Sequence, residues 1–429
     1  MNSVLQQLTS AVTCRRISFV IVSVCVMGIL FASSVAPTHA EDWLRFRGNN
    51  GSGISDDKGI PTTWSAGDYA WSISLPGEGH GAPIIVGDKL FVTSATDEGA
   101  LRFLFCLNSQ TGEEIWSRVL GFNRSPKHTK NSWASSTPTS DGERIYFAFA
   151  DKEEYSLSAY DFEGELVWRR KLGEFKSQHG LGASPVIFEN MVIIANDQDG
   201  PSSIIAFDRK TGETVWNSLR SFGRASYATP LLINVPGQKP QLIVSSDSRG
   251  ISGLDPYNGE MIWYSGDLPA RTVGSPAYGE GLVFQCCGGG GIGKLMVGVD
   301  PTGQGNVSAT HVKMIRDKVV PYVPTPVVYQ GHLYLWGDNG VVSCVHIATG
   351  ENIWTERIGG NYSSSPICID GKLYGVAEDG EVAVMDASPK FNLYGKSPLG
   401  DTSHSTPSVA NGKLYLRSFH RLSCLSAKP

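Results

Sequence analysis

His80 and His404 lie near the two ends of the chain, yet each stands three residues before a proline, Pro83 and Pro407. Two imidazoles at one offset could begin a metal site. Elsewhere that offset holds Ser135, Gly182, Tyr227, Val273, Val323 and Ser363, so the pattern supplies no third ligand and the sequence names no metal site. Hydrogen bonding of the two rings to loop backbone is the simpler role. Trp133, His179, Tyr227, Tyr322 and Tyr362 also fall just ahead of a recurring proline. Cations crowd the same stretches, at Lys127, His128, Lys130, Lys176, Arg220, Arg224, Arg271, Arg316 and Lys318. Aromatic rings interleaved with guanidinium groups suit an anion or an acidic sugar, through bidentate contacts and stacking. Cys286-Cys287 is the other unusual grouping. Neighbours on a strand point to opposite faces, so a bond between them needs a distorted turn, which Gly288 to Gly291 could accommodate. The pair reads either as a vicinal disulfide or as two thiols packed on opposite sides of a strand. No Gly-x-Ser-x-Gly, His-Glu-x-x-His or phosphate loop occurs, so those hydrolase and nucleotide chemistries have no local support.

The elements that would position these residues follow from the prolines. Pro83, Pro138, Pro185, Pro230, Pro276, Pro326, Pro366 and Pro407 each follow a small residue and open an apolar run, at intervals of about 40 to 55 residues. In the first unit the runs are Ile84-Ile-Val, Leu90-Phe-Val-Thr, Phe105-Cys-Leu and a fourth carrying Trp116, separated by Gly87-Asp-Lys and Thr111-Gly-Glu. Four short strands repeated eight times predict an all-β, eight-bladed β-propeller. Gly112, Gly164, Gly212, Gly259 and Gly350 recur at the last turn, where positive φ favours glycine. Trp116, Trp168, Trp216, Trp263 and Trp354 follow them by four residues and read as wedges between blades. Units five and seven place Val307 and Leu393 near that position. The last unit has three strands, and Tyr69 to Pro76, with Trp71, reads as the fourth, closing the ring and removing two free edges.

The expected organisation is an export signal over 1–40, an N-terminal extension over 41–68 and a propeller over 69–429. Arg15-Arg16, the apolar stretch Ile17 to Ala32 and the small residues to Ala40 carry the first expectation. Removing the signal would take the net charge from −5 to about −7, which disfavours nucleic acid as a partner. It would also leave a monomer with no membrane span, in the periplasm or outside the cell. Cys106, Cys344 and Cys424 share a third-strand position with Ala159, Ala206, Gly253 and Gly298 and read as small buried side chains.

Strings such as Ala206-Phe-Asp-Arg-Lys-Thr-Gly212-Glu-Thr-Val-Trp216 resemble the repeat of the pyrroloquinoline-quinone (PQQ)-type propellers over nearly the whole chain that follows the signal. The opening Asp42-Trp-Leu-Arg-Phe-Arg-Gly48 is similar to exported PQQ-like repeat proteins of unassigned function. The resemblance takes in the non-catalytic propeller lipoprotein of the outer-membrane β-barrel assembly machinery and the quinoprotein dehydrogenases alike. The second group implies PQQ, Ca²⁺ and a vicinal disulfide against the cofactor, which Cys286-Cys287 could supply. No position here matches the family's calcium-binding carboxylate and amide or its catalytic Asp, and there is no Cys-x-x-Cys-His for a haem.

The reading is therefore a non-catalytic binding or scaffold module with no cofactor. Its ligand, a protein or an anionic glycan, would sit on the face formed by the loops that lead into each first strand. PQQ-dependent alcohol or sugar oxidation is the alternative.

Overall fold

The computed structural model describes residues 41–220 and 223–427, so the export signal expected over 1–40 lies outside the described residues. These residues form eight sheets around one axis, each an antiparallel meander running from the axis outward. Blade one comprises Ile84–Val86, Lys89–Thr96, Leu101–Asn108 and Glu114–Gly121. The inner strand is short and buried, the middle pair is buried along most of its length, and the outermost strand is mostly exposed or half-buried. This gradient is what a ring of wedges requires, because the middle strands are covered on both faces by neighbouring blades. Seven apolar clusters fill the joints between blades.

Ring closure follows the expectation. Trp71–Ser74 pairs antiparallel with Arg421–Ser426, Trp71 opposite Cys424 and Ser74 opposite Arg421, and completes the eighth sheet. The recurrent tryptophans act across the joints. The indole N–H of Trp71 donates to the Ser109 carbonyl of blade one, that of Trp116 to Phe162 of blade two, and those of Trp168 and Trp216 to Arg209 and Pro256. Each ring lies on the turn glycine of the next blade. A β-carbon on Gly112, at φ 77°, would stand 2.7 Å from the Trp71 ring, so glycine is demanded twice, by backbone conformation and by the docking indole. The small third-strand residue lies opposite the Trp in register, Cys106 to Trp116 and Cys344 to Trp354.

Blade five departs from the sequence reading. Gly305–Asn306 leaves its own blade and adds in parallel to the edge of blade four, carrying Val307 into the joint beside Trp263. The outer strand of blade five is Val312–Arg316, and Met314, opposite Gly298, takes the tryptophan's place. In blade seven Gly395 stands opposite Val384.

A belt of hydrogen bonds ties the blades near the axis. The small residue before the recurrent proline is Ser or Thr in seven units, and its hydroxyl accepts the backbone N–H of the equivalent residue in the preceding blade. The chain of bonds runs Ala82 to Thr137, Thr137 to Ser184, Ser184 to Thr229, Thr229 to Ser275, Ser275 to Thr325, Thr325 to Ser365 and Ser365 to Thr406, all between 2.9 and 3.1 Å. Ala82 has no hydroxyl to accept an eighth bond. At that seam the Ser408 hydroxyl donates to the Pro83 carbonyl at 2.7 Å, and Arg417 donates to the Gly81 carbonyl at 3.1 Å.

The N-terminal stretch crosses the channel. Trp43 pairs with Ile85 of blade one, and the Leu44 carbonyl accepts from Ser140 of blade two. Arg45 donates to the Pro230 carbonyl of blade four at 3.0 Å. Arg47 donates to Pro366 and Pro326 of blades seven and six at 2.7 and 3.0 Å, and Ile54–Ser55 then pairs in parallel with the inner strand of blade seven. Both guanidinium groups are fully buried against carbonyl oxygens, with burial lowering Arg45 to about 10 and Arg47 to about 9, so both stay charged at neutral pH. Backbone carbonyls turned toward the axis have no partner within their own blade there, and two arginines with five donors apiece supply one.

Candidate functional site

With the Trp43–Gly53 stretch lying across it, the channel becomes a cup of about 840 Å³, walled by the loops ahead of each inner strand and touched from below by Phe46. His80, His179, Arg224, Tyr227, Arg271, Tyr322, Tyr362 and His404 all line it. Trp133 does not: its indole N–H donates to the Ser125 carbonyl at 2.7 Å, and the Lys127 ammonium lies 4.8 Å from its ring, which fixes the loop from outside. The sequence reading missed Phe46, Asn131, Gln178, Asp338, Glu378 and Gly288 to Gly291. The Ser/Thr ahead of each proline also lines the wall, and this signal was available in the repeat.

His80 and His404 meet across the closing seam with ring centres 4.6 Å apart, and Phe419 packs on both. His80 Nε2 and His404 Nδ1 are buried without a hydrogen-bond partner. The Glu378 carboxylate lies 4.0 Å from His404, and the described residues contain no cluster of three metal-capable side chains. Burial is the main force lowering both imidazole pKa values, and the neighbouring cations Arg417 and Lys127 push His80 further down. Both rings are therefore neutral at pH 7.

The basic hub is largely paired. Lys127 meets Glu78 at 3.1 Å, Lys130 meets Glu378 at 2.6 Å, Arg220 meets Asp197 at 2.9 Å, and Arg224 meets Asp247 at 3.1 Å. Carboxylates from neighbouring loops fold onto these cations. Burial raises Glu378, but hydrogen bonds from Lys130 and Ser363 prevail and hold it below its ordinary range. Asp338 takes the opposite course: burial raises it to about 6, against the opposing N–H bonds of Tyr322 and Val323 at 2.6 and 3.0 Å.

Arg271 makes no ion pair among the described residues. Its Nη1 donates to Gln178 Oε1 at 3.2 Å and to His179 Nδ1 at 3.1 Å, while its Nε is buried without a partner. The guanidinium lies 5.7 Å from the Tyr227 ring centre, and the Tyr227 hydroxyl is 2.9 Å from the same His179 nitrogen. Accepting from Arg271 leaves Nδ1 without a proton and places the ring proton on Nε2. Burial, then His128 and Arg271, lower His179 to about 4.

The cup does not fit a calcium–quinone pair. Cys286 and Cys287 are free thiols on opposite faces of one strand, Cys286 packed toward blade six and Cys287 toward blade four, and neither lines the cup. The disulfide entertained from the sequence is absent because the strand runs straight through both residues and bulges only after Cys287. The carboxylates in the wall are committed to Lys130, Ser363 and backbone N–H groups.

A family profile described as outer membrane protein assembly factor BamB matches residues 103–266 and 238–390. An outer membrane protein assembly factor BamB of Yersinia pestis is 22% identical over 275 residues, covering 59% of this chain and 66% of that protein. The crystal structure of BamB from Moraxella catarrhalis superposes with a TM-score of 0.60 at 16% identity, over 83% of this chain and 96% of the other. A quinohaemoprotein alcohol dehydrogenase of Pseudomonas putida gives a TM-score of 0.62 at 11% identity, over 90% and 81%. At these identities both superpositions establish the fold.

Proposed function

The chain belongs to the family of the outer membrane protein assembly factor BamB, and from that premise we propose that it holds an envelope protein on the face where the cup opens. It is an exported binding and scaffold propeller. The observation that carries the choice of face is the Trp43–Gly53 stretch across the channel, which leaves the loops of the eight blades converging on one cup. A rigid ring with a pre-formed concave face loses little freedom on binding, which suits a scaffold. No helix among the described residues is long and apolar enough to cross a membrane.

Gly289 lines the cup, and a β-carbon there would meet nothing within 4 Å. Gly289→Trp should therefore obstruct the cup without straining the ring. In cells lacking the native copy, this variant should leave outer-membrane β-barrel protein levels as low as the deletion does, whereas Gly121→Trp at a blade's outer edge should restore them. Full restoration by Gly289→Trp, with the ring melting normally, would remove the cup from the function.

A further inference from the structure

We infer that the cup contains a subsite for the carboxylate of an acidic saccharide, with Arg271 as the anion contact and Tyr227, Tyr322 and Phe46 as aromatic walls. This goes beyond the assembly reading and shares with it only the choice of face. Arg271 is the cation that the surrounding carboxylates leave unmatched: Lys130 and Arg224, in the same wall, each have their own partner. Its nearest partners are neutral, a glutamine amide oxygen, a neutral imidazole and the Tyr322 hydroxyl, and none of them offsets its charge. A half-buried guanidinium without a carboxylate partner gains most from acquiring one, which accepts from the guanidinium edge and offsets the charge.

Size and lining narrow the ligand class. A cup of about 840 Å³ lies within the range of small-ligand sites and takes a few sugar rings. Asn339 and Asn361 present amides that pair with sugar hydroxyls, and the aromatic rings offer faces for C–H stacking. The aliphatic side chains in this wall are Val273 and Val323, little for the apolar residues of a peptide to bury against.

The test is calorimetric titration of the purified protein with trigalacturonate, with its carboxyl-reduced neutral analogue and with triglutamate. Trigalacturonate should bind at least tenfold more tightly than either comparator. Arg271→Gln should remove that advantage and leave the weak affinity for the neutral sugar unchanged, and Arg271→Lys, which keeps the charge, should recover part of it. Both variants should melt with the wild type. Equal binding of acidic and neutral sugars, undiminished binding by Arg271→Gln, or tighter binding of triglutamate would overturn the inference. The two readings fail separately: Gly289→Trp that restores assembly but blocks trigalacturonate sinks the scaffold face alone, and a wild-type protein that ignores trigalacturonate sinks the saccharide subsite alone.

Discussion

Thr229→Val removes one hydroxyl from the axial belt and keeps the side chain's shape. Thr229 is 3% exposed, and its Oγ1 accepts the Ser184 N–H at 3.0 Å across the joint between blades three and four. Valine cannot accept, so a buried N–H is left orphaned at about 1–3 kcal/mol. The backbone N–H of residue 229 keeps its own bond to Ser275, so the damage stays in one joint. A ring of this size unfolds with an entropy of about 0.8 kcal/mol/K, which converts the loss to roughly 1–4 °C in Tm. The assay is thermal unfolding followed by circular dichroism, with Thr111→Val as the control. Thr111 sits in an exposed turn, and its substitution should cost under about 0.5 kcal/mol. A Thr229→Val protein melting with wild type, or no lower than the control, would refute the claim that the belt contributes to holding the blades together.

Two further outcomes follow from the seam and the histidines. Trp71→Ala should cost about 3–5 kcal/mol and lower the melting temperature more than Trp168→Ala, because Trp71 lies on the short strand that closes the ring; equal losses would show that closure adds nothing. Stability should fall on acidification below about pH 6.5. His80, His179 and His404 all have folded values below the ordinary 6.5, so the unfolded chain binds more protons, and their contribution is present above 6.5 and lost as pH falls, for His179 down to about 4. Asp338, raised to about 6, works against this, since its contribution is present below its ordinary 3.8 and lost as pH rises through 6. Burial raises Asp197 as well, so three imidazoles stand against two carboxyls and leave a net fall, which melts at about pH 7 and pH 5 would read; a flat or rising profile would contradict the burial of these rings.

Blade number, strand order and ring closure were legible because each is written locally and repeated: an apolar run after proline, a turn glycine, a tryptophan four residues on. The glycine reading was half of the reason, since the indole pressing on Gly112 comes from another blade. Blade five defeated the spacing argument because the chain lends Gly305–Asn306 to its neighbour before returning to its own sheet, so Val307 stands where tryptophan was sought and Met314 does its work. The belt was present in the sequence as Ser or Thr before proline, yet the meaning of a hydroxyl there depends on an N–H in the preceding blade.

The loops offered residue types but no pairings. Lys130 and Glu378 are 248 residues apart and bond at 2.6 Å, and this and similar contacts turned an expected positive hub into a mostly neutral wall. That Arg271 was the cation left over in the cup wall depended on where the acidic loops came to rest. The sequence by itself determined the propeller, because a repeat whose strands bury both faces has few ways to satisfy them other than stacking in a closed ring. Tertiary structure alone decided that an N-terminal arginine segment lies across the channel and that one guanidinium in the cup keeps no carboxylate partner, since burial and charge balance are sums over residues that meet only once the ring has closed.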